Sequence, residues 1–311
     1  MIEVKNLFKY YGHKKAVNGV SFTAKRGEVL GFIGQNGAGK STTMRVITGF
    51  IPASEGSVLV DGVDIAEEPY SAKEKIGYLP ESAPVYNNMT VQGFLKFCAE
   101  MRGFYKSERK RVVEEAIEAC FLESVRHQTI DTLSKGYRHR TSLAQALLGN
   151  PDALILDEPT DGLDPNQKHE VRKLIRKLGK DKAIIISTHI LEEVDAICDR
   201  LVLIDEGKVK FDGTPDEFRA LGHLDGVALL TCKHITAEKM EAVFSQCEFV
   251  REVEKTASHS VRIYPHNENA DISYAVAHVV LEHGWKATEL TRHKGRLEDV
   301  FQQLSQTEGN E

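Results

Sequence analysis

The sequence predicts an α/β protein that carries a smaller α+β unit at its C-terminal end. Three observations support this. First, short runs of continuously apolar residues, EVLGFI at 28–33, ALIL at 153–156, AIII at 183–186 and LVLI at 201–204, have the pattern of strands buried on both faces of a mostly parallel sheet. Second, helix-compatible stretches separate those runs, the alternation expected of α/β layers. Third, the pattern changes after Gly226, where a new series of short strands and amphipathic helices begins.

Taken in order, EVLGFI ends in the glycine-rich turn at residues 34–39. The segment from Lys40 to Thr48 that follows is helix-compatible, giving strand, loop, helix. A more helical region, about residues 90–149, precedes ALIL; in it Val112, Val113, Ala116, Ile117, Cys120 and Phe121 recur at helical spacing. Near residue 222 a boundary is written. Thr214-Pro215-Asp216-Glu217 joins an N-cap threonine, a proline at the first helical position and a glutamate three residues after the cap, and the helix it opens is expected to stop at Gly222.

Beyond that boundary, 227–232 (VALLTC) reads as a strand, and Ala237, Met240, Val243 and Phe244 mark one helical face. Residues 248–254 and 260–264 read as a hairpin. A helix at about 271–283, a strand near 286–291 and a final amphipathic helix with Leu297, Val300, Phe301 and Leu304 complete the order βαββαβ, that of a ferredoxin-like unit. The expected domains are residues 1–222, with the helical subdomain inside them, and residues 223–311.

At 311 residues the chain is about two domains long, taking roughly 150 residues for each. Its 41% hydrophobic and 28% charged residues argue against a disordered, collagen-like or disulfide-scaffold protein. No run approaches 18 apolar residues, so no membrane-spanning helix is expected. The N-terminus, MIEVKNLFKYYG, lacks the apolar stretch of a signal peptide. A cytoplasmic chain that meets a membrane only through partners is therefore expected.

Cys98, Cys120, Cys198, Cys232 and Cys247 are far apart and include no C-x-x-C pair, so they read as ordinary thiols of a reducing compartment. Seven of the 12 histidines lie after residue 222, none of those seven at the i, i+4 spacing that aims two imidazoles at one ion, which favours surface or core histidines over a metal site. Residues 222–311 carry nine Lys and Arg against 14 Asp and Glu, leaving 31 against 32 in residues 1–221. Neither part has the basic excess that dominates nucleic-acid affinity, so no nucleic-acid partner is expected.

The chemistry is concentrated in a few segments. Gly34-Gln35-Asn36-Gly37-Ala38-Gly39-Lys40-Ser41 fits G-x-x-x-x-G-K-[ST], placed after a strand and before a helix as its mechanics require. Glycines let successive backbone N–H groups turn onto phosphates, Lys40 reaches the β- and γ-phosphates, and the Ser41 hydroxyl is suited to ligate Mg2+. The expected nucleotide-contacting set is Gly34, Asn36, Gly37, Ala38, Gly39, Lys40, Ser41 and Thr42. Downstream, ALIL runs into Asp157-Glu158, two carboxylates at the C-terminal end of a buried strand, where open α/β sheets place their ligands. Asp157 is positioned for the Mg2+ shell, and Glu158 for polarising a water toward the γ-phosphate.

At this point a family resemblance is legible. Leu133-Ser134-Lys135-Gly136-Tyr137-Arg138-His139-Arg140 resembles the LSGGQ signature of ABC-type ATPases. Glu158-Pro159-Thr160-Asp161-Gly162-Leu163-Asp164-Pro165 is similar to the segment that runs into the D-loop, and Ser187-Thr188-His189 to the switch-histidine segment. Gly77-Tyr78-Leu79-Pro80-Glu81 occupies the Q-loop position, and Tyr11 before Gly12 matches the aromatic that stacks on adenine. The resemblance covers about residues 2–220. It implies a P-loop ATPase domain of ABC type with a helical subdomain, using ATP and Mg2+.

The single ATPase unit, the wording GYLPE, the LSKGYR form of the signature and the C-terminal appendix resemble the branch that serves ABC-2-type exporters, including drug-efflux and gliding-motility-associated systems. That likeness implies a homodimer, or a heterodimer with a related ATPase, held at the inner face of the cell membrane by a separate integral-membrane permease. It also implies that each ATP lies between the Lys40 loop of one subunit and the Ser134, Gly136 and Asp164 region of the other. Catalytic roles fall to Glu158 and His189 and, at the Q-loop position, to Glu81, which with Ser41 and Asp157 is a metal-side residue.

Three departures from the family pattern bear on turnover. Lys135 stands for the usual second glycine and Tyr137 for the usual glutamine, while Ser134 and Gly136 keep the phosphate-facing donors. Glu81 replaces glutamine; a carboxylate still suits Mg2+ or a water, but adds negative charge near the γ-phosphate. Tyr10 and Tyr11 are adjacent and on a strand point to opposite faces, so only one stacks on the base, and Tyr11 is favoured by Gly12. Met89, Phe94, Phe97, Met101 and Phe104 read as core or permease-facing surface. Two other classes stay open here. A soluble ABC ATPase of ribosomes or DNA is disfavoured by the single G-x-x-x-x-G-K-[ST] match and by the mere 94 residues between Lys40 and Ser134. A low-turnover nucleotide-gated regulator is suggested by Lys135, Tyr137 and Glu81, and opposed by Glu158 and His189.

Overall fold

The computed structural model describes residues 1–82, 84–222, 226–267, 270–293 and 297–306. They divide into two compact units, Met1–Thr214 and Pro215–Glu311. In the first, β1 (Ile2–Tyr11) and β2 (Lys14–Ala24) form a hairpin before β3 (Glu28–Ile33) and α1 (Lys40–Ile47). Next come β4 (Glu55–Val60), β5 (Val63–Asp64), α2 (Pro69–Glu74) and β6 (Ile76–Leu79). The helical region holds α3 (Val91–Met101), α4 (Lys106–Ala119) and α5 (Lys135–Leu147). β7 (Ala153–Asp157), α6 (Pro165–Gly179), β8 (Ala183–Thr188), α7 (Leu191–Ile197), β9 (Arg200–Asp205) and β10 (Lys208–Gly213) follow.

The four apolar runs are the adjacent strands of a six-stranded sheet ordered β10-β9-β3-β8-β7-β6, parallel except for β10. Every residue of β7 and β8 is buried, which is why these strands carry no polar alternation until their last positions. Their side chains nevertheless alternate between two cores. Leu154, Leu156, Ile184 and Ile186 pack with α3–α5, whereas Ile155, Ile185, Leu30 and Phe32 pack toward α1 and the second sheet.

That second, four-stranded sheet has the order β2-β1-β4-β5. Apart from the strand that carries Tyr10 and Tyr11, this sheet leaves no clear pattern in the sequence. Its strands alternate buried and exposed residues with irregularities, and β1 shifts register between Val4 and Leu7 and again beyond, which blurs the period-two signal. Helix starts follow local chemistry: Thr90 caps α3 by accepting from Gly93 N at 3.1 Å, and Asp164 caps α6 by accepting from Gln167 N at 2.9 Å, with Pro165 next.

The second unit opens with α8 (Pro215–Arg219), which starts at the proline as expected and stops short of Gly222. Gly222 lies so close to Val300 that a Cβ there would sit 2.8 Å from the valine Cγ2. Then follow β11 (Val227–Thr231), α9 (Ala237–Phe244), β12 (Val250–Ala257), β13 (Ser260–Pro265), α10 (Ser273–Glu282), β14 (Glu289–His293) and α11 (Leu297–Gln306). The sheet is antiparallel in the order β12-β13-β11-β14, the ferredoxin-like arrangement of a βαββαβ chain. Its core joins Met240, Phe244, Val276 and Trp285 to Leu230 and Ile263. The last strand begins at Glu289 rather than near 286, because the preceding turn through Gly284 (φ +64°) buries Trp285 first. Residues 223–225, the expected start of the second domain, and the Leu304 side chain lie outside the described residues.

Tight packing around the sheet gives a direct test. A Cβ on Gly77 of β6 would sit 2.1 Å from the Ala146 carbonyl oxygen and 2.7 Å from Leu154 Cδ2. Gly77→Ala is expected to destabilise the protein by about 1–3 kcal/mol, read from chemical denaturation followed by circular dichroism.

Candidate functional site

The site begins where β3 ends. Gly34 carries no side chain because a Cβ would come 2.3 Å from the Ile204 carbonyl oxygen of neighbouring β9. Gly37 and Gly39 take φ values of +88° and +109°, conformations that let the loop double back before α1. Ala38 is buried and its carbonyl accepts from Gly207 N at 2.9 Å. Lys40, the first residue of α1, is 7% exposed, and its ammonium donates to the carbonyls of Gly34 at 2.7 Å and Gln35 at 3.1 Å. Burial is the largest influence on it and pushes its pKa below the ordinary range, while Glu158, Asp157 and Glu81 act in the opposite direction.

Tyr11, half exposed at the end of β1, lines a cleft of about 240 Å3 with Lys14, Ala16, Asn36, Gly37, Gly39, Lys40, Ser41 and Thr42. Tyr10 turns away and donates its hydroxyl to Glu55 Oε1 at 3.1 Å. Lys14 and Ala16 were not foreseen. They are brought in because the β1–β2 hairpin folds residues 14–16 back beside Tyr11, with Tyr11 opposite Lys14 in register.

Asp157 and Glu158 end β7 beside this loop. Asp157 is 3% exposed and accepts from the Ser187 hydroxyl of β8, its partner in register. Burial raises its pKa; the Ser187 and Ser41 hydroxyls pull it back, and the charges of Glu81 and Glu158 add to the rise. Glu158 has φ +52°, a left-handed conformation uncommon for a non-glycine residue. Its N–H still bonds Ser187 O at 3.0 Å, so the chain leaves the sheet only after placing the carboxylate. Glu158 Oε1 lies 2.8 Å from His189 Nδ1, and Oε2 lies 3.3 Å from the Thr188 hydroxyl.

Oxygen donors from Ser41, Asp157 and Glu81 fit a hard cation such as Mg2+, which takes few protein ligands and completes its shell with water and phosphate oxygens.

Ser134 and Gly136 are not among the residues that line the cleft. Ser134 caps α5, accepting from Tyr137 N at 3.4 Å, and Gly136 faces Gln167, whose Oε1 a Cβ would approach to 2.1 Å. Lys135 bonds Asp161 Oδ2 at 2.9 Å. The signature segment thus packs on the 161–167 segment of its own chain, with Asp164 at the start of α6.

A model of the ABC transporter family matches residues 17–161. The linearmycin resistance ATP-binding protein LnrL of Bacillus subtilis is 35% identical over 246 residues, covering 79% of each chain. This chain belongs to the ABC transporter ATP-binding proteins. The Nod factor export ATP-binding protein I of Burkholderia orbicola is 35% identical over 215 residues, 69% of this chain and 71% of that one. The dimeric structure of MJ0796, a bacterial ABC transporter cassette, superposes with a TM-score of 0.63 at 25% identity, over 69% of this chain and 98% of that one.

The loop at residues 34–39 is tightly constrained. Gly39→Ala combines a strained φ with a Cβ 2.4 Å from the Ala16 carbonyl oxygen. Its expected effect is at least a roughly tenfold loss of nucleotide affinity in a fluorescent-nucleotide titration, the strain being of order 1–3 kcal/mol.

Proposed function

We propose that this chain is the ATP-hydrolysing subunit of an exporter, in which Glu158 is the general base and His189 its partner. The observation that carries the reading is the meeting of Lys40, Asp157 and a His189-paired Glu158 at the ends of adjacent parallel strands. ATP would lie with its phosphates on the N–H groups of residues 34–42 and its base against Tyr11. Lys40 then neutralises charge on the β- and γ-phosphates. Ser41, Asp157 and Glu81 would hold Mg2+, whose charge would further neutralise the phosphates. Glu158 takes a proton from a water as that water attacks the γ-phosphorus and the β–γ bridging oxygen leaves, giving ADP and phosphate. His189 fixes the carboxylate through Nδ1.

The chain is proposed to work as a dimer, homomeric or with a related ATPase. Two features support this: the absence of Ser134 and Gly136 from the lining of their own chain's cleft, and the likeness to a dimeric cassette. A separate integral-membrane permease is the proposed partner. No helix among the described residues is long and apolar enough to cross a membrane. Phe97 and Met101, one turn apart on α3, are exposed, with Tyr86 packed on Phe97 at a ring separation of 5.5 Å, an apolar patch suited to a protein partner. Export is proposed from the likeness to a resistance protein and a Nod factor export protein. Residues 223–311 are proposed as an accessory domain for dimerisation or regulation.

Glu158→Gln is expected to lower ATP turnover by about 10²–10⁴-fold in a phosphate-release assay and to leave nucleotide affinity in place. Lys40→Ala is expected to lose binding itself, in the same titration. Tagged Glu158→Gln protein, drawn from solubilised native membranes with ATP, is expected to bring a multi-span membrane protein at a fixed ratio. Recovery of ribosomes or DNA-bound proteins instead would move the function away from transport.

A further inference from the structure

Behind Glu158 lies a second buried carboxyl that the hydrolytic scheme does not use. Glu193, on α7, is 1% exposed. Its Oε1 accepts from the Thr160 hydroxyl, and its Oε2 lies 3.2 Å from the Thr188 hydroxyl. The Thr188 oxygen is also 3.3 Å from Glu158 Oε2 and accepts from Ile190 N at 3.1 Å. Thr188 therefore stands between two carboxyl groups with a single proton to give. If both carboxyls were ionised, one oxygen pair would face lone pair to lone pair with no hydrogen between.

Burial favours the neutral form of Glu193, the more deeply buried of the two. Arg172 and Lys168 of α6 favour the charged form of Glu193, but the Arg172 guanidinium is 3.8 Å from Oε1 and is shared with Glu192. Desolvation outweighs these two charges and the Thr188 hydrogen bond, which also favours the charged form, and raises the Glu193 pKa, with the Glu158 charge acting in the same sense. A protonated Glu193 would donate to Thr188 and leave the Thr188 proton for Glu158 Oε2, while Glu158 Oε1 meets His189.

We propose that Glu193 is a positioning residue that acts as a neutral hydrogen-bond donor, orienting the Thr188 hydroxyl so that it holds the Glu158 carboxylate. The inference rests on Glu158 being the base. A glutamine at position 193 reproduces the required pattern, its carbonyl accepting from Thr160 and its amide donating to Thr188. An ion-pairing role with Arg172 is not reproduced by glutamine.

The test compares Thr188→Val, Glu193→Ala and Glu193→Gln in the full chain, measuring kcat, KM for ATP, nucleotide affinity, melting temperature and the pH–rate profile. Thr188→Val and Glu193→Ala are expected to lower kcat roughly tenfold with KM and nucleotide affinity unchanged. Glu193→Gln is expected to keep kcat and to remove any fall in rate with rising pH that comes from ionisation of Glu193. Wild-type kcat in Thr188→Val, or a Glu193→Gln variant as slow as Glu193→Ala, overturns the proposal. Should Glu193→Ala fail to fold, the other two variants decide. Retained turnover in Glu158→Gln removes the base reading itself, whereas an inactive Glu158→Gln beside a fully active Thr188→Val removes only the role of Glu193.

Discussion

The first unit is organised around keeping an ammonium charged in a nearly dry place. Lys40 gives up most of its hydration at the start of α1, a cost that two backbone carbonyls and the facing carboxylates offset only in part. Those partners come from separate parts of the chain: the loop after β3, the end of β7 and the segment after β6. They converge because β3, β8, β7 and β6 run parallel, so their C-terminal ends open on the same side. The register is as important as the direction. Ile33 pairs with Thr188, and Asp157 with Ser187, which puts the loop, the carboxylates and His189 at one level of the sheet.

The same arrangement places local strain where chemistry is proposed. Glu158 takes a left-handed backbone, and Gly39 sits against a carbonyl with φ +109°. Such conformations persist only where their surroundings over-determine them. Here the surroundings are the fully buried β7 and β8, whose apolar faces contribute to both cores and leave the strand ends little freedom. Buried acids add a further cost. Asp157 and Glu193 both have pKa values raised chiefly by burial, and each is tied to a hydroxyl on β8, Ser187 or Thr188. β8 thus serves the site through two hydroxyls at its C-terminal end, on adjacent residues that point to opposite faces.

Much of this was legible in the residues. Runs buried on both faces announce themselves as continuous apolar stretches, and the Gly34–Ser41 and Asp157–Glu158 patterns need only local context to read. The β1–β2 hairpin was harder, because register shifts break its alternation and Lys14 and Ala16 carry no motif. Thr188 stood beside His189 without a role. Glu193 had a faint signal: on α7 it falls among Leu191, Val194 and Ile197, a carboxyl on the buried side of a short helix. Nothing in the chain's order says that this carboxyl meets Thr160 and Thr188.

By itself the sequence determined the α/β class, the phosphate loop, the paired acids of β7, the family and the βαββαβ order of the second unit. These depend on periodicity and on contiguous residues, which are local properties of the chain. Only the tertiary structure decided that Lys14 and Ala16 join Tyr11 in the cleft, that Tyr10 is spent on Glu55, and that one threonine hydroxyl is shared by Glu158 and Glu193. Each of those outcomes is set by strand register and by which buried groups compete for a single proton. Such relations join residues far apart in the chain or turned to different faces, and no local pattern records them.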